Sequence, residues 1–273
     1  EVSSFRYKLG ADADMNVEAS GGKIAFEIDF SGAVSQKDPE KPGFELSTVA
    51  KLKDPNKKEY KFDLAVKNVS SNFYIKLLDL PEIPDFQTDA LKDFVGPWWK
   101  IDSTQLGEVP ETFSGLIGKP SAALDEKEKQ VRELIKTASF FKDIEYKGTE
   151  SVNGYDCYVY SVSENDDGLM NYISKAVEIQ GQDASAVDVD GFKEFLAMSS
   201  FEGEIYLDLA STTFVRIVGD LIFTDPQTND SGTLSVDLNF SDLNQPFSVE
   251  APTDFKDCDI ASFFGAFLQS SIK

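Results

Sequence analysis

The 273-residue chain contains no histidine. Histidine is the usual general base near neutral pH and the commonest metal ligand, so its absence excludes Ser-His and Cys-His catalytic arrangements. The 48 acidic residues could supply two carboxylates for glycoside hydrolysis, but no motif marks such a pair. We therefore expect a protein that is not an enzyme and has neither a cofactor nor a metal site.

Basic residues are scarce as well. The chain has 26 lysines and arginines against 48 acidic residues, a net charge of -22. This balance argues against a nucleic-acid partner and against electrostatic docking on anionic lipid headgroups. Any contact with lipid would have to be apolar.

Long hydrophobic runs, internal repeats and Gly/Ser linkers are also missing. No segment approaches the roughly 20 apolar residues that span a bilayer, and no signal peptide is recognisable within these residues. The chain starts at Glu1 without a methionine, so we expect a targeting sequence to lie outside it. A single domain covering residues 1–273, and a monomer, are expected.

Only two cysteines occur, Cys157 and Cys258. They are too few for a zinc site and show no redox spacing. Two interpretations stay open from the residues. The first is a pair of unrelated buried thiols, and the second is a disulfide that ties the C-terminal segment to a strand in an exported protein.

Alternation of apolar and polar residues fills most of the chain and predicts antiparallel strands. The connections between neighbouring strands are short turns, too short for crossover helices. The segments 203–209, 214–223 and 233–241 form the clearest run of three successive strands. Further strands are predicted at 23–31, 44–52, 60–66, 72–80, 96–101, 140–147 and 152–162.

Helical spacing replaces this alternation in a few segments. Apolar residues recur at i, i+3 and i+4 there, which is typical of an amphipathic helix. Such helices are predicted at 121–138, 167–179, 190–198 and 260–268, with a short helical piece at 86–94.

Aromatic residues are abundant, with 22 Phe, 9 Tyr and 2 Trp. Most of these rings fill an ordinary core, but they cluster on strand and helix faces that can meet. A wide sheet that curls around such helices can enclose an apolar cavity. The residues predicted to line it are Phe26, Ile28, Phe62, Leu64, Trp98, Leu134, Leu169, Ile173, Phe195, Leu207, Ile217, Val236 and Leu238.

Three segments resemble motifs of one protein family. Residues 152–160 resemble the strand V-x-G-x-x-x-Y-x-Y, and residues 203–217, with Arg216 near the end, resemble the hairpin W-I-D-x-x-T-x-x-P-x-R. Residues 240–252 resemble a Y-x-D-x-N-x-P segment followed by a proline at Pro252. Together they are similar to bacterial exported lipoproteins of the LolA/LolB type, especially the LppX/LprG-like branch.

This resemblance implies an α+β fold: a strongly curved, incompletely closed antiparallel β-barrel, or half-barrel, with helices covering its open, concave side. It implies an apolar interior that accepts acyl chains and an upstream lipidated cysteine that anchors the protein to the outer face of the cell membrane. An extracytoplasmic location would also suit a disulfide between Cys157 and Cys258.

Two functions remain open from the sequence. The first is a non-enzymatic carrier that binds a lipid or another apolar ligand in a cavity between the curved sheet and the helices. The second is a cell-surface or sensor module that binds a protein or an envelope polymer and has a filled interior. A scaffold alone does not decide between them.

Overall fold

The computed structural model describes residues 3–17, 22–35, 43–69, 72–81, 88–102, 126–180 and 189–258. Its main element is one sheet of twelve strands, ordered β12-β6-β5-β4-β3-β2-β1-β11-β10-β9-β8-β7. The strands are β1 (Ser4–Val17), β2 (Gly22–Ser35), β3 (Gly43–Lys53), β4 (Glu59–Val69), β5 (Asn72–Asp79), β6 (Trp99–Asp102), β7 (Phe141–Val152), β8 (Tyr155–Glu164), β9 (Ser199–Asp208), β10 (Phe214–Thr224), β11 (Ser231–Ser241) and β12 (Lys256–Asp257).

The sheet is mostly antiparallel, and the short pairing of β12 with β6 is parallel. It begins at β12 and ends at β7, so it does not close on itself. The predicted fold class is confirmed, because an open, large antiparallel sheet with few helices is consistent with a half-barrel plus helices.

Three α-helices occur in the described ranges: α1 (Glu126–Thr137), α2 (Asp166–Gln180) and α3 (Val189–Met198). Asn165 caps α2, since its Oδ1 accepts a hydrogen bond from the Gly168 amide at 3.2 Å. A 3-10 helix, Thr88–Phe94, precedes β6. The helix predicted at 260–268 lies outside the described residues.

Contacts divide the chain into two compact units. The first unit comprises Glu1–Asp12, Ile24–Pro120 and Leu238–Lys273, and the second comprises Ala13–Lys23 and Ser121–Asp237. A single domain over residues 1–273 stays a prediction.

Strands β2, β3 and β4 of the first unit pair in continuous register over their length. Because side chains alternate between the two faces, most apolar residues of each strand meet an apolar partner on the neighbouring strand. The cross-strand rows are Phe26 with Leu52 and Tyr60, Ile28 with Ala50 and Phe62, Phe30 with Thr48 and Leu64, Gly32 with Leu46 and Val66, and Val34 with Phe44 and Asn68.

Strands β8, β9 and β10 of the second unit are also antiparallel neighbours. Gly203 and Gly219 face each other across β9 and β10. A Cβ atom on Gly219 would lie 2.6 Å from Cζ of Phe201, so the missing side chain makes room for this ring. The glycine pair therefore serves the packing of one aromatic side chain.

The three motifs that carry the family resemblance coincide with turns. Asn153 and Gly154 have positive φ between β7 and β8, and Asp208 Oδ2 accepts hydrogen bonds from Ser211 after β9. In the third motif, Asn244 also has a positive φ, and its amide donates a hydrogen bond to the Ser4 carbonyl at 2.7 Å. The motifs fix hairpin geometry, since these residue types tolerate the required backbone conformations.

Cys157 and Cys258 are not joined by a disulfide in the structure. Cys258 packs against Phe73 and Ile101 in the first unit. Cys157 is fully buried in β8 of the second unit. Each thiol therefore fills a site in its own unit, and the interpretation as two buried thiols fits the structure.

Candidate functional site

An apolar surface covers one side of β2, β3 and β4 in the first unit. We call it the apolar face and define it as Phe26, Ile28, Phe30, Leu46, Ala50, Leu52, Phe62, Leu64 and Val66. Eight of these side chains are half-buried, and Leu52 is 36% exposed. The sequence produces this surface because all three strands alternate in the same phase once their register is set.

The same side of the sheet carries a buried cluster at β5 and β6, against which the half-buried Ile75 and Trp99 pack. Phe73, Ile101 and Cys258 retain 1%, 2% and 6% exposure, and Trp99 packs against them. Trp99 Nε1 donates a hydrogen bond to the Phe94 carbonyl at 2.9 Å, which satisfies its polar atom. The burial of apolar side chains on this side of the sheet therefore decreases from the buried cluster at β5 and β6 to the half-buried residues at β2.

The structure brings four of the predicted lining residues together on the apolar face: Phe26, Ile28, Phe62 and Leu64. It places Trp98 elsewhere. The Lys67 and Lys76 ammonium groups each lie 5.9 Å from the centre of the Trp98 indole, and both lysines project from the opposite, polar side of the sheet. The two tryptophans thus point to opposite sides, and Trp99 is the one on the apolar side.

Seven predicted lining residues fall in the second unit, and Leu238 lies in the part of β11 that belongs to the first. Three of the seven, Leu207, Ile217 and Val236, lie on strands. Phe195 of α3 is 36% exposed and stacks on Phe223 of β10 with a ring-centre distance of 5.9 Å. The half-buried residues Leu134 on α1 and Leu169 and Ile173 on α2 complete the set.

The polar side of the second unit carries a charged network. Arg216 donates two hydrogen bonds to Asp237, both of 2.8 Å, and its guanidinium lies 5.5 Å from the Tyr206 ring centre. The Tyr206 hydroxyl donates to Glu204 Oε2 at 2.8 Å. Burial and the neighbouring Glu204 carboxylate raise the pKa of Tyr206 to about 12. The four side chains are therefore linked by hydrogen bonds and one cation–π contact.

A cleft of about 410 Å³ opens on the polar side of the first unit. Its lining residues come from five strands and from the segment before β6: Arg6, Tyr7, Lys8, Ser31, Gly32, Glu45, Leu46, Ser47, Ala65, Val66, Lys67, Trp98 and Ser241. Glu45 binds Arg6 and Lys67 at 3.4 Å each and fixes one wall. Sequence reasoning missed this cleft, because its residues become neighbours only through the strand register.

Sequence reasoning also left Phe30, Leu46, Ala50, Leu52 and Val66 out of the lining set, although they belong to the apolar face. The alternation of apolar and polar residues on β2, β3 and β4, weakest on β3, was the available signal. Within the described ranges, no three Asp, Glu or Cys residues form a group that could hold a metal ion. In the same ranges, each helix is too short or too polar to cross a bilayer.

No protein-family model matches the chain, and no curated protein matches its sequence. Among solved structures, the chain is similar to the lipoprotein LppX of Mycobacterium tuberculosis, with 10% identity over 91% of this chain and 90% of that one and a TM-score of 0.29. LprF from Mycobacterium bovis is similar with 12% identity over 90% and 89% of the two chains and a TM-score of 0.33.

A DUF1329 family protein from Desulfovibrio piger is similar with 10% identity over 90% of this chain and 88% of that one, at a TM-score of 0.24. The resemblance predicted from the sequence named the LppX/LprG-like group, and LppX is among the solved structures to which the chain is similar. These similarities concern architecture, and no ligand is carried over from them.

Proposed function

We propose that the protein is a non-enzymatic exported lipoprotein that binds an acyl chain or a similar apolar ligand on the apolar face. The observation that carries the proposal is the gradient of burial along one side of the sheet. The side is closed by Phe73 and Ile101 at one end, whereas Phe26, Ile28 and Phe62 remain half-buried at the other. Covering apolar surface that is in contact with water lowers the free energy, so such a surface favours the binding of an apolar ligand.

The free energy of transferring an acyl chain from water to this surface is large enough to offset the cost of immobilising the ligand. Each methylene group transferred from water contributes about 0.8 kcal/mol, so ten methylenes contribute about 8 kcal/mol before the cost of immobilising the ligand. The Thr48 side chain, which faces Phe30 and Leu64, is buried and is the one polar side chain in the central row. The proposed ligand therefore needs no polar group where it lies on the sheet.

The test measures the saturable binding of a fluorescent fatty acid to the unmodified chain and to two variants with substitutions on β4. Phe62→Asn removes an aromatic ring from the apolar face, whereas Lys61→Asn changes the preceding residue on the opposite face. We expect Phe62→Asn to weaken uptake roughly tenfold, about 1.4 kcal/mol, and Lys61→Asn to leave it within about twofold. Absence of saturable uptake, or equal losses in both variants, would contradict the proposal.

A second candidate is a cell-surface module that binds an envelope polymer or a protein. The cleft on the polar side of the first unit favours it, because Arg6, Lys8 and Lys67 gather there with Trp98 in a chain of net charge -22. In either case we place the protein outside the cytoplasmic membrane, anchored through an upstream lipidated cysteine. Crosslinked recovery of a partner, with no bound lipid, would support this second candidate over the first.

A further inference from the structure

The floor of the polar-side cleft is built from small side chains. Ser31, Ser47 and Ala65 are direct cross-strand neighbours on β2, β3 and β4. Three adjacent strands span about 10 Å, so these short side chains leave a flat area large enough for one ring-shaped molecule to approach the sheet. Within the described part of the chain, the Ser31 and Ser47 hydroxyls form no hydrogen bond.

A lysine stands at each end of this floor. Lys76 is the cross-strand neighbour of Ala65 on β5, and Lys8 of β1 lines the cleft with Ser31 at the other end. Neither ammonium group has an ion pair with any residue in the described ranges, although the chain has 48 acidic residues against 26 basic ones. Two cations without acidic partners favour a ligand that carries a negative charge.

The wall of the cleft combines a flat aromatic ring with fixed charges. The half-buried Trp98 indole lies beside the floor, next to Lys67 and Lys76. Glu45 holds Arg6 and Lys67 at 3.4 Å each, so their positions are set before a ligand arrives. An indole surface contacts apolar C–H groups, whereas serine hydroxyls donate and accept hydrogen bonds.

We propose that this cleft binds a sugar ring bearing a carboxylate, a uronic acid residue of an acidic glycan. The ring would lie on the Ser31–Ser47–Ala65 floor with its C–H face against Trp98, and its carboxylate would meet Lys8 or Lys76. The volume of about 410 Å³ is within the range of small-molecule sites. The cleft shares Leu46 and Val66 with the apolar face, but its floor residues Ser31, Ser47 and Ala65 alternate with the apolar residues and project from the opposite side of the strands. The floor therefore does not use the side chains on which an apolar ligand is proposed to lie.

The test is isothermal titration calorimetry of the full chain with digalacturonic acid, maltose and inorganic phosphate. We expect saturable binding of digalacturonic acid and at least tenfold weaker binding of maltose, which lacks the carboxylate, and of phosphate, which lacks the ring. No saturable binding of digalacturonic acid, or comparable binding of maltose or phosphate, would overturn the proposal.

Two variants locate the binding. Lys8→Gln, on an exposed side chain, should weaken digalacturonic acid binding at least fivefold, and Lys23→Gln, an equal change of charge on β2 outside the cleft, should leave it unchanged. Ser47→Val fills the floor and should abolish binding. Equal affinities for Lys8→Gln and Lys23→Gln would refute the site. Fatty acid uptake should be normal in the Lys8→Gln variant, which separates this site from the apolar face.

Discussion

Tyr206 lies in a group of side chains on the polar side of the second unit that form hydrogen bonds and a cation–π contact with one another. Its hydroxyl donates to Glu204, its ring lies beside the Arg216 guanidinium, and the side chain is only 4% exposed. Arg216 is held in turn by two hydrogen bonds to Asp237. A bidentate arginine–carboxylate pair fixes orientation as well as charge, which gives the hairpin motif around Arg216 a structural role.

The raised pKa of Tyr206 predicts a loss of stability in alkali. The ordinary pKa is 10.0 and the folded value about 12, so the unfolded chain releases this proton first as the pH rises. Stability should therefore fall between about pH 10 and 12. Tyr206→Phe should cost about 1 kcal/mol at pH 7, because the bond to Glu204 is lost, and should make the alkaline decline shallower.

Urea unfolding at a series of pH values measures this effect. The unmodified chain is the reference. Identical pH dependence of stability in the Tyr206→Phe variant and the unmodified chain would show that Tyr206 does not titrate as described.

At the scale of elements, the sequence predicted most strands and helices but not their lateral partners. Strand β1 was missed although Phe5, Tyr7 and Leu9 alternate with polar residues, because Gly10 and the nearby aspartates lower its β propensity. Trp98 was predicted to line the cavity, and its indole lies near Lys67 and Lys76, which project from the polar side. A shift of one residue exchanges the two faces, so the position of a side chain depends on pairing that local pattern does not determine.

The pairing of β9 with β10 gives a testable prediction at this scale. Gly219→Ala should destabilise the fold by about 1 to 3 kcal/mol, since the new Cβ would lie 2.6 Å from the Phe201 ring. Gly10→Ala on β1 is the control, because its Cβ would have Asp29 Oδ1 as its nearest neighbour at 3.8 Å, an ordinary contact. Thermal unfolding followed by circular dichroism compares them, and equal midpoints would contradict the packing argument.

At the scale of the whole molecule, a strongly acidic chain carries a partly exposed apolar area. The net charge of -22 disfavours binding to anionic surfaces. Phe26, Ile28 and Phe62 of the apolar face are nevertheless only half-buried. Composition predicted that any lipid contact would be apolar, and the strand register supplies a continuous surface for it. Phe26, Ile28, Phe62 and Leu64 could be predicted from local alternation, whereas the neighbours that complete the surface depend on pairing between residues far apart in the chain.

Native mass spectrometry of the purified chain tests the central claim, that the apolar face holds an apolar ligand, most directly. We predict a mass above that of the polypeptide, with the excess removed by organic extraction and reduced in the Phe62→Asn variant. A single species at the mass of the polypeptide alone, before and after extraction and after incubation with fatty acid, would contradict the claim.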